Sequence, residues 1–274
     1  MSSGLYGVIG DPVSHSLSPV IHRGWMRDLG IDADYKAFHV RAGTFRDGLE
    51  ALEREGVRGL NVTLPHKIDV VPICESVSSL AETLGAVNTL SRTPSGGWVG
   101  DNTDYQGFLD DFRDVSRGAL KACRILVLGA GGAAQAVARA LRDRGFVVCI
   151  ANRTVSRAGA LAASLGLPPE AARGLDDVAT LSEQVDAIVN TLALGHARDA
   201  IRFAEGGGRL FYDISYGSVA VPALDAATDA GWRSADGLGM LVAQAAISFE
   251  IWHGVSPDRT AALKRCRAAL DMAK

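Results

Sequence analysis

The stretch ILVLGAGGAAQAVARAL, residues 125–141, runs from an apolar strand straight through a glycine-rich turn into an Ala-rich helix. Four apolar residues lead into Gly129, Ala130, Gly131, Gly132, Ala133 and Ala134. Gly129 permits the tight turn, Gly131 lets a pyrophosphate approach the backbone, and Ala134 at the third glycine position keeps helix and strand close. The unpaired N–H groups at the helix start favour an anion. A bare GxGxxG/A pattern is weak evidence. Here a second apolar run, FVVCIAN (146–152), follows at the right distance, so strand, turn, helix and strand form a dinucleotide-binding βαβ unit.

The end of that second strand selects the dinucleotide. An acidic side chain there suits the ribose 2′-hydroxyl of NAD. This chain has Asn152-Arg153-Thr154 and then Arg157, with no carboxylate among them. Guanidinium and hydroxyl donors match a 2′-phosphate, so the expected cofactor is NADP and the expected class an oxidoreductase.

Outward from this unit, DAIVNT (186–191) and RLFYDIS (209–215) are further apolar strands between Ala-rich helices, the pattern of a parallel sheet covered on both faces. A helix over about 104–116 leads in. Before it the texture differs. LYGVIG (5–10), DYKAFHV (34–40) and RGLNVTL (58–64) read as strands, the last stopped by Pro65 and followed by a helical stretch. Ser18 is expected to cap a helix with Pro19 at its first position, and Thr44 another that runs to about Glu55. AVNTLSR (86–92) and WVGDNTD (98–104), joined by Pro-Ser-Gly-Gly, form a hairpin and imply one antiparallel strand. Two helices close the chain and are expected to return to the first domain. The fold class is therefore α/β with two domains. Residues 1–103 and 239–274 make an N-terminal mixed-sheet catalytic domain, and residues 104–238 a Rossmann-type NADP-binding domain.

A chain of 274 residues can bury two such cores. Its net charge of −3 gives no electrostatic reason to expect nucleic acid or an anionic membrane as partner. The four cysteines form neither a CxxC pair nor a disulfide framework, no export signal or membrane-spanning run is visible, and a cytoplasmic protein is expected. The six histidines make no ligand-spaced cluster, so no metal is expected; His15 and His66 read as structural.

Three polar clusters in the first domain call for a function. Ser16 and Ser18 precede a helix, where hydroxyls can bind a carboxylate, although Ser18 could serve only as a cap. Thr63 and Lys67 follow a strand, where Lys67 could equally be a surface residue of a helix's first turn. Asn88 and the run Gly100-Asp101-Asn102-Thr103-Asp104 end where the domains meet, and Asp104 could equally cap the helix that follows.

In order and at matching spacing, GDPVSHSLSP, NVTLPHK, GAVNT, GDNTDYQGF, GAGGAA, NRTVSR and DGLGMLVAQAAISFEIW resemble the shikimate dehydrogenase family over the whole chain. The resemblance implies a substrate cleft between the two domains and the reversible reduction of 3-dehydroshikimate to shikimate, in aromatic amino acid biosynthesis. It assigns Ser16, Ser18 and Tyr216 to the substrate carboxylate, and Thr63, Asn88 and Gln244 to ring hydroxyls. Lys67 and Asp104 are its catalytic pair. Gly129 to Ala133, Asn152 and Ile214 line the cofactor site, Arg153, Thr154 and Arg157 take the 2′-phosphate, and Gly237 and Met240 border the nicotinamide. The residue types suit the chemistry: hydride transfer to a ketone leaves charge on oxygen, which a nearby ammonium stabilises and protonates. The cofactor supplies the hydride, so neither a nucleophile nor a metal is required.

Three departures from the family pattern stand out: the loop Leu192–His196, Gly217 after Tyr216, and Arg23 after His22. They leave open quinate, aminoshikimate or another ring acid as substrate. A non-catalytic NADP sensor is a further reading of the fold, and a homodimer remains open.

Overall fold

The computed structural model describes residues 4–118, 123–192 and 201–272. In chain order the elements begin β1 (Gly4–Gly10), α1 (Ser18–Asp28), β2 (Ala33–His39), α2 (Phe45–Arg54), β3 (Val57–Val62), β4 (Ser76–Val77), α3 (Ser79–Leu84), β5 (Thr89–Arg92), β6 (Trp98–Asp101) and α4 (Asp104–Ser116). They continue with β7 (Arg124–Leu128), α5 (Gly132–Asp143), β8 (Val147–Ala151), α6 (Val155–Ser164), β9 (Ala172–Arg173), α7 (Val178–Ser182), β10 (Ala187–Asn190) and β11 (Leu210–Asp213). The last are α8 (Val221–Asp229), β12 (Arg233–Ala235), α9 (Leu238–His253) and α10 (Arg259–Met272). The chain folds as two compact units. One holds the residues up to Gly107 and those from Leu241 onward; the other is Phe108–Met240. Both divisions fall inside helices, α4 and α9.

The first unit carries a six-stranded sheet in the order β2-β1-β3-β5-β6-β4. Strand β5 pairs antiparallel with both β3 and β6, and the remaining pairs are parallel, so β5 alone runs against the rest. The hairpin between β5 and β6 closes through Thr93 and Gly97, with Gly96 in the left-handed region at φ +94°. Alternation sorts the side chains to two faces. Ile9, Leu60 and Leu90 pack under Phe45, Leu49 and Leu52 of α2. On the opposite face Tyr6 meets Trp252 of α9, and Asn61 of β3 meets Ser248. The C-terminal helices belong to this unit: Trp25 Nε1 donates to the Asp258 carbonyl at 2.8 Å, and Arg265 pairs with Asp28 at 2.6 Å.

The second unit carries six strands in the order β12-β11-β10-β7-β8-β9, all parallel. Every residue of β10 and β11, and all of β7 after Arg124, is buried. Successive side chains point to opposite faces, so burial of all of them means that both faces are covered. The order reverses at β7, and the ends of β7 and β10 frame the crevice where such sheets take ligands. Among the described residues no helix is long and apolar enough to cross a membrane.

Local expectations need correction in two places. Leu17, not Ser18, holds the cap position of α1; Ser18 is its first residue and Pro19 its second, and the Leu17 side chain makes no capping hydrogen bond. After Pro65 there is no immediate helix but a run of turns and a short 3₁₀ segment, Val71–Ile73, before β4 and α3. Pro72 has no N–H to give a helix in this stretch. The edge strands β4, β9 and β12 have only two or three residues, too few for a periodic signal.

His22 lies fully buried in the aromatic layer behind the first sheet, stacked on Tyr35 at 4.1 Å. Burial, reinforced by the nearby His253, pushes its pKa from 6.5 down to about 3. The folded ring stays neutral while an unfolded one takes up a proton below its ordinary pKa, so stability is full above pH 6.5 and is lost as pH falls from there towards 3. Between pH 7 and pH 5 this group should cost about 2 kcal/mol of unfolding free energy. Urea unfolding at the two pH values should show that loss in the wild type and a smaller one in His22→Phe; equal losses would contradict this role for the buried ring.

Candidate active site

Strands β1, β3 and β6 run in one direction, and β5 against them, so the residues after β1, β3 and β6 and those before β5 share one end of the first sheet. That topology collects the motifs from four separate parts of the chain. The loop after β1 presents Ser16 and Ser18. With the cap position of α1 held by Leu17, the Ser18 hydroxyl is not spent on helix capping; it accepts from Ser16 Oγ at 3.2 Å, and Ser16 Oγ in turn accepts from the Ser18 N–H. Thr63 leaves β3 with its N–H on the Ile9 carbonyl at 2.9 Å.

Lys67 is not a surface residue. Its Nζ lies 2.6 Å from Asp104 Oδ2, with the two side chains 14% and 8% exposed. The backbone carbonyl of Lys67 accepts from Val87 N–H, which ties this turn to the segment bearing Asn88. Nor does Asp104 cap α4. Asn102 Oδ1 does so, accepting from the N–H groups of Asp104 and Tyr105 at 3.1 and 3.3 Å. The Asp104 carboxylate is thereby left to two partners, Lys67 on Oδ2 and Asn88 Nδ2 on Oδ1 at 2.9 Å.

The orientation of the Asn88 amide follows from its neighbours. Its Oδ1 accepts from the Thr103 backbone N–H at 2.7 Å, and a backbone N–H can only donate. The Nδ2 must then face Asp104, with Gln244 Oε1 3.4 Å away. Gln244 comes from α9, whose backbone approaches α4 so closely that a Cβ on Gly107 would stand 2.7 Å from Gln244 N. Asn88, Thr103, Asp104 and Gln244 are all buried.

Sequence reasoning did not single out the layer behind these residues. Asn61 Nδ2 donates to Ser248 Oγ at 2.9 Å, Thr89 Oγ1 and Ser248 Oγ lie 2.8 Å apart, and Thr89 Oγ1 donates to Asn88 Oδ1 at 3.0 Å. Tyr35 Oη completes the chain on Asn61 Oδ1 at 2.8 Å. The available signal was a polar residue within an apolar run, Asn61 in RGLNVTL and Ser248 in AAISF. His66, read as structural, is buried with Nε2 2.7 Å from the Val40 carbonyl; His15 is exposed.

In the second unit the glycine turn leaves β7 as read. Gly129 has φ +113°, and a Cβ there would fall on Thr191 Oγ1, which donates to the Leu128 carbonyl. Gly131 occupies the cap position of α5 with no side-chain cap, and nothing lies within 4 Å of where its Cβ would stand. Ala130 and Gly132 to Ala134 complete the turn, with Ala134 fully buried. An open backbone cradle at the head of a twelve-residue helix fits a pyrophosphate. At the end of β8, Asn152 folds its amide onto the Thr154 carbonyl at 3.0 Å. Arg153, Thr154 and Arg157 are exposed, and the first turn of α6 has no acidic residue. This donor set fits a 2′-phosphate.

Ile214 follows β11 with its N–H on the Asn190 carbonyl, and a Cβ on Gly237 would collide with the Ile214 carbonyl. Met240 is buried and Tyr216 half-buried. Gly217 adopts φ +64°, which explains glycine after Tyr216. Arg23 pairs with Asp34 at 2.8 Å on the surface of the first unit. Of the loop Leu192–His196, residues 193–196 lie outside the described residues.

Three family models match the chain in order. They are the shikimate dehydrogenase substrate binding domain over residues 8–90, shikimate / quinate 5-dehydrogenase over 113–202, and the shikimate 5′-dehydrogenase C-terminal domain over 237–267. A shikimate dehydrogenase (NADP(+)) of Hyphomonas neptunium is 50% identical over 269 residues, 97% of this chain and 98% of its own. Among solved structures, a shikimate dehydrogenase in complex with NADP+ superposes with a TM-score of 0.85 at 31% identity, covering 98% of this chain and 96% of the other. The Thermus thermophilus shikimate 5-dehydrogenase in complex with NADP(H) and shikimate gives 0.79 at 32% identity, covering 97% and 99%. The chain belongs to the shikimate dehydrogenase family.

Proposed function

We infer that this chain catalyses the NADP-dependent, reversible reduction of 3-dehydroshikimate to shikimate. The observation that carries the reading is the Lys67–Asp104 ion pair, nearly enclosed and bordered by amide and hydroxyl groups suited to a polyhydroxylated ring. Its relatives, named as NADP-dependent shikimate dehydrogenases over almost the full chain, support the same conclusion.

Lys67 Nζ is the proton donor to the ketone oxygen during reduction and accepts the hydroxyl proton in the reverse direction. Asp104 fixes the direction of that ammonium, and Asn88 fixes Asp104. Thr63, Asn88 and Gln244 hold ring hydroxyls, while Ser16, Ser18 and Tyr216 bind the carboxylate. NADP supplies or receives the hydride when bound. Gly129 to Ala133 receive its pyrophosphate, Asn152 shapes the turn beside Arg153, Thr154 and Arg157 at the 2′-phosphate, and Ile214, Gly237 and Met240 border the nicotinamide. The free thiols Cys74, Cys123, Cys149 and Cys266 support a reducing, cytoplasmic setting.

The test is a spectrophotometric assay of shikimate and quinate, each with NADP and with NAD. Turnover of shikimate with NADP is expected; folded protein that oxidises neither acid would refute the function. Lys67→Ala should lower kcat by roughly 10²–10⁴ with shikimate binding largely retained, and near-wild-type turnover would remove Lys67 from its role. Replacing Arg153 and Arg157 together by Ala should raise KM for NADP by at least about tenfold, from the loss of charge-assisted hydrogen bonds, and leave that for NAD nearly unchanged. Equal effects on both cofactors would contradict the 2′-phosphate assignment.

A further inference from the structure

Helix α4 turns one face towards β11 in the second unit. Phe108 and Phe112 meet the Tyr212 ring edge-on at 5.8 and 6.0 Å, and between them Asp111 accepts a 2.6 Å hydrogen bond from Tyr212 Oη. Tyr212 is fully buried; burial, and then Asp111, push its phenol well above the ordinary value, so it stays a donor. The same carboxylate lies against the backbone of the first turn of α9, at Gly239. A Cβ on Gly239 would collide with it, which accounts for glycine at that position. The Leu238 N–H is served by Asp236 Oδ1 at 3.2 Å, so the start of α9 is capped by Asp236 and packed by the Asp111 carboxylate from a different helix. Burial holds the Asp111 pKa above the usual carboxylate range despite the Tyr212 hydrogen bond, yet the chemistry above uses neither Asp111 nor Tyr212.

We propose that Asp111, held by Tyr212, is a positioning residue that fixes the Gly237–Met240 segment against which the nicotinamide packs. The proposal rests on the reading of Gly237 and Met240 as the nicotinamide border. Three elements converge on one carboxylate. α4 supplies it, β11 orients it two residues before Ile214, and α9 packs against it at Gly239. The backbone of Ile214 in turn lies directly against Gly237. Loss of the carboxylate frees the first turn of α9 while leaving the pyrophosphate cradle and the arginines untouched, so the cofactor should still bind but with its reactive end loosely held.

The variants are Asp111→Ala, Asp111→Asn, which keeps the shape of the side chain and an acceptor for Tyr212 Oη, and Tyr212→Phe. Three readouts apply: kcat with its primary deuterium isotope effect, dissociation constants for NADPH and shikimate, and the emission spectrum of bound NADPH, which reports the nicotinamide environment without turnover. Asp111→Ala should lower kcat about tenfold or more, raise the isotope effect and shift bound-NADPH emission towards that of free NADPH, with both dissociation constants within about threefold of wild type. Asp111→Asn should recover most of the rate. If Asp111→Ala does not fold, Tyr212→Phe should show the same changes in smaller measure. Folded variants with wild-type kcat, isotope effect and emission would overturn the proposal, as would a fall in melting temperature with no change in these readouts. A wild type that binds NADPH but does not oxidise shikimate would instead refute the function, and the emission arm would still decide the role of Asp111.

Discussion

A lysine and an aspartate held 2.6 Å apart and almost out of water impose the strongest constraint on the first unit. Removing both charges from solvent costs several kcal/mol per ion unless the remaining lone pairs and protons find partners, and loss of one member leaves the other stranded. The surrounding residues meet that demand. Asn88 takes the second carboxylate oxygen, Thr103 and Thr89 fix the Asn88 amide, and Ser248 and Asn61 fix Thr89. A single reversed amide would set an oxygen against the Asp104 carboxylate. The polar layer is therefore a chain of obligations that begins at the ion pair and ends at Tyr35, under the aromatic core.

The two units answer different physical problems. The first must hold polar groups from distant parts of the chain in one fixed constellation, and its antiparallel strand β5 makes this possible by bringing Asn88 to the end of the sheet where β3 and β6 deliver Thr63 and Asp104. The second must present backbone N–H groups to an anion, and a strand, a left-handed glycine and a helix start are enough. The C-terminal helices pack back into the first unit through α10 against α1.

Legibility in the sequence tracks the range of the interactions. The βαβ unit was readable because its chemistry is local: apolar run, turn glycines and helix stand in one short stretch. Lys67 and Asp104, 37 residues apart, stood out only through motifs, and their sequence neighbourhoods left a surface lysine and a capping aspartate equally open. The structure separates those readings because Asn102 caps α4 in place of Asp104. Ser18 misled for a related reason, since serine before a proline-led helix is a cap by propensity, whereas here Leu17 takes that place. Ser248 and Asn61 meet across 187 residues, and nothing in either segment names the other.

The ion pair is most directly tested at its acidic member. Shikimate oxidation with NADP by Asp104→Asn, with shikimate affinity measured separately by titration, isolates the carboxylate charge while keeping the shape of the side chain. The expected result is a fall in kcat of about 10²-fold or more with affinity changed only several-fold, because the amide no longer holds the Lys67 ammonium in place. A folded Asp104→Asn enzyme with wild-type kcat would contradict it.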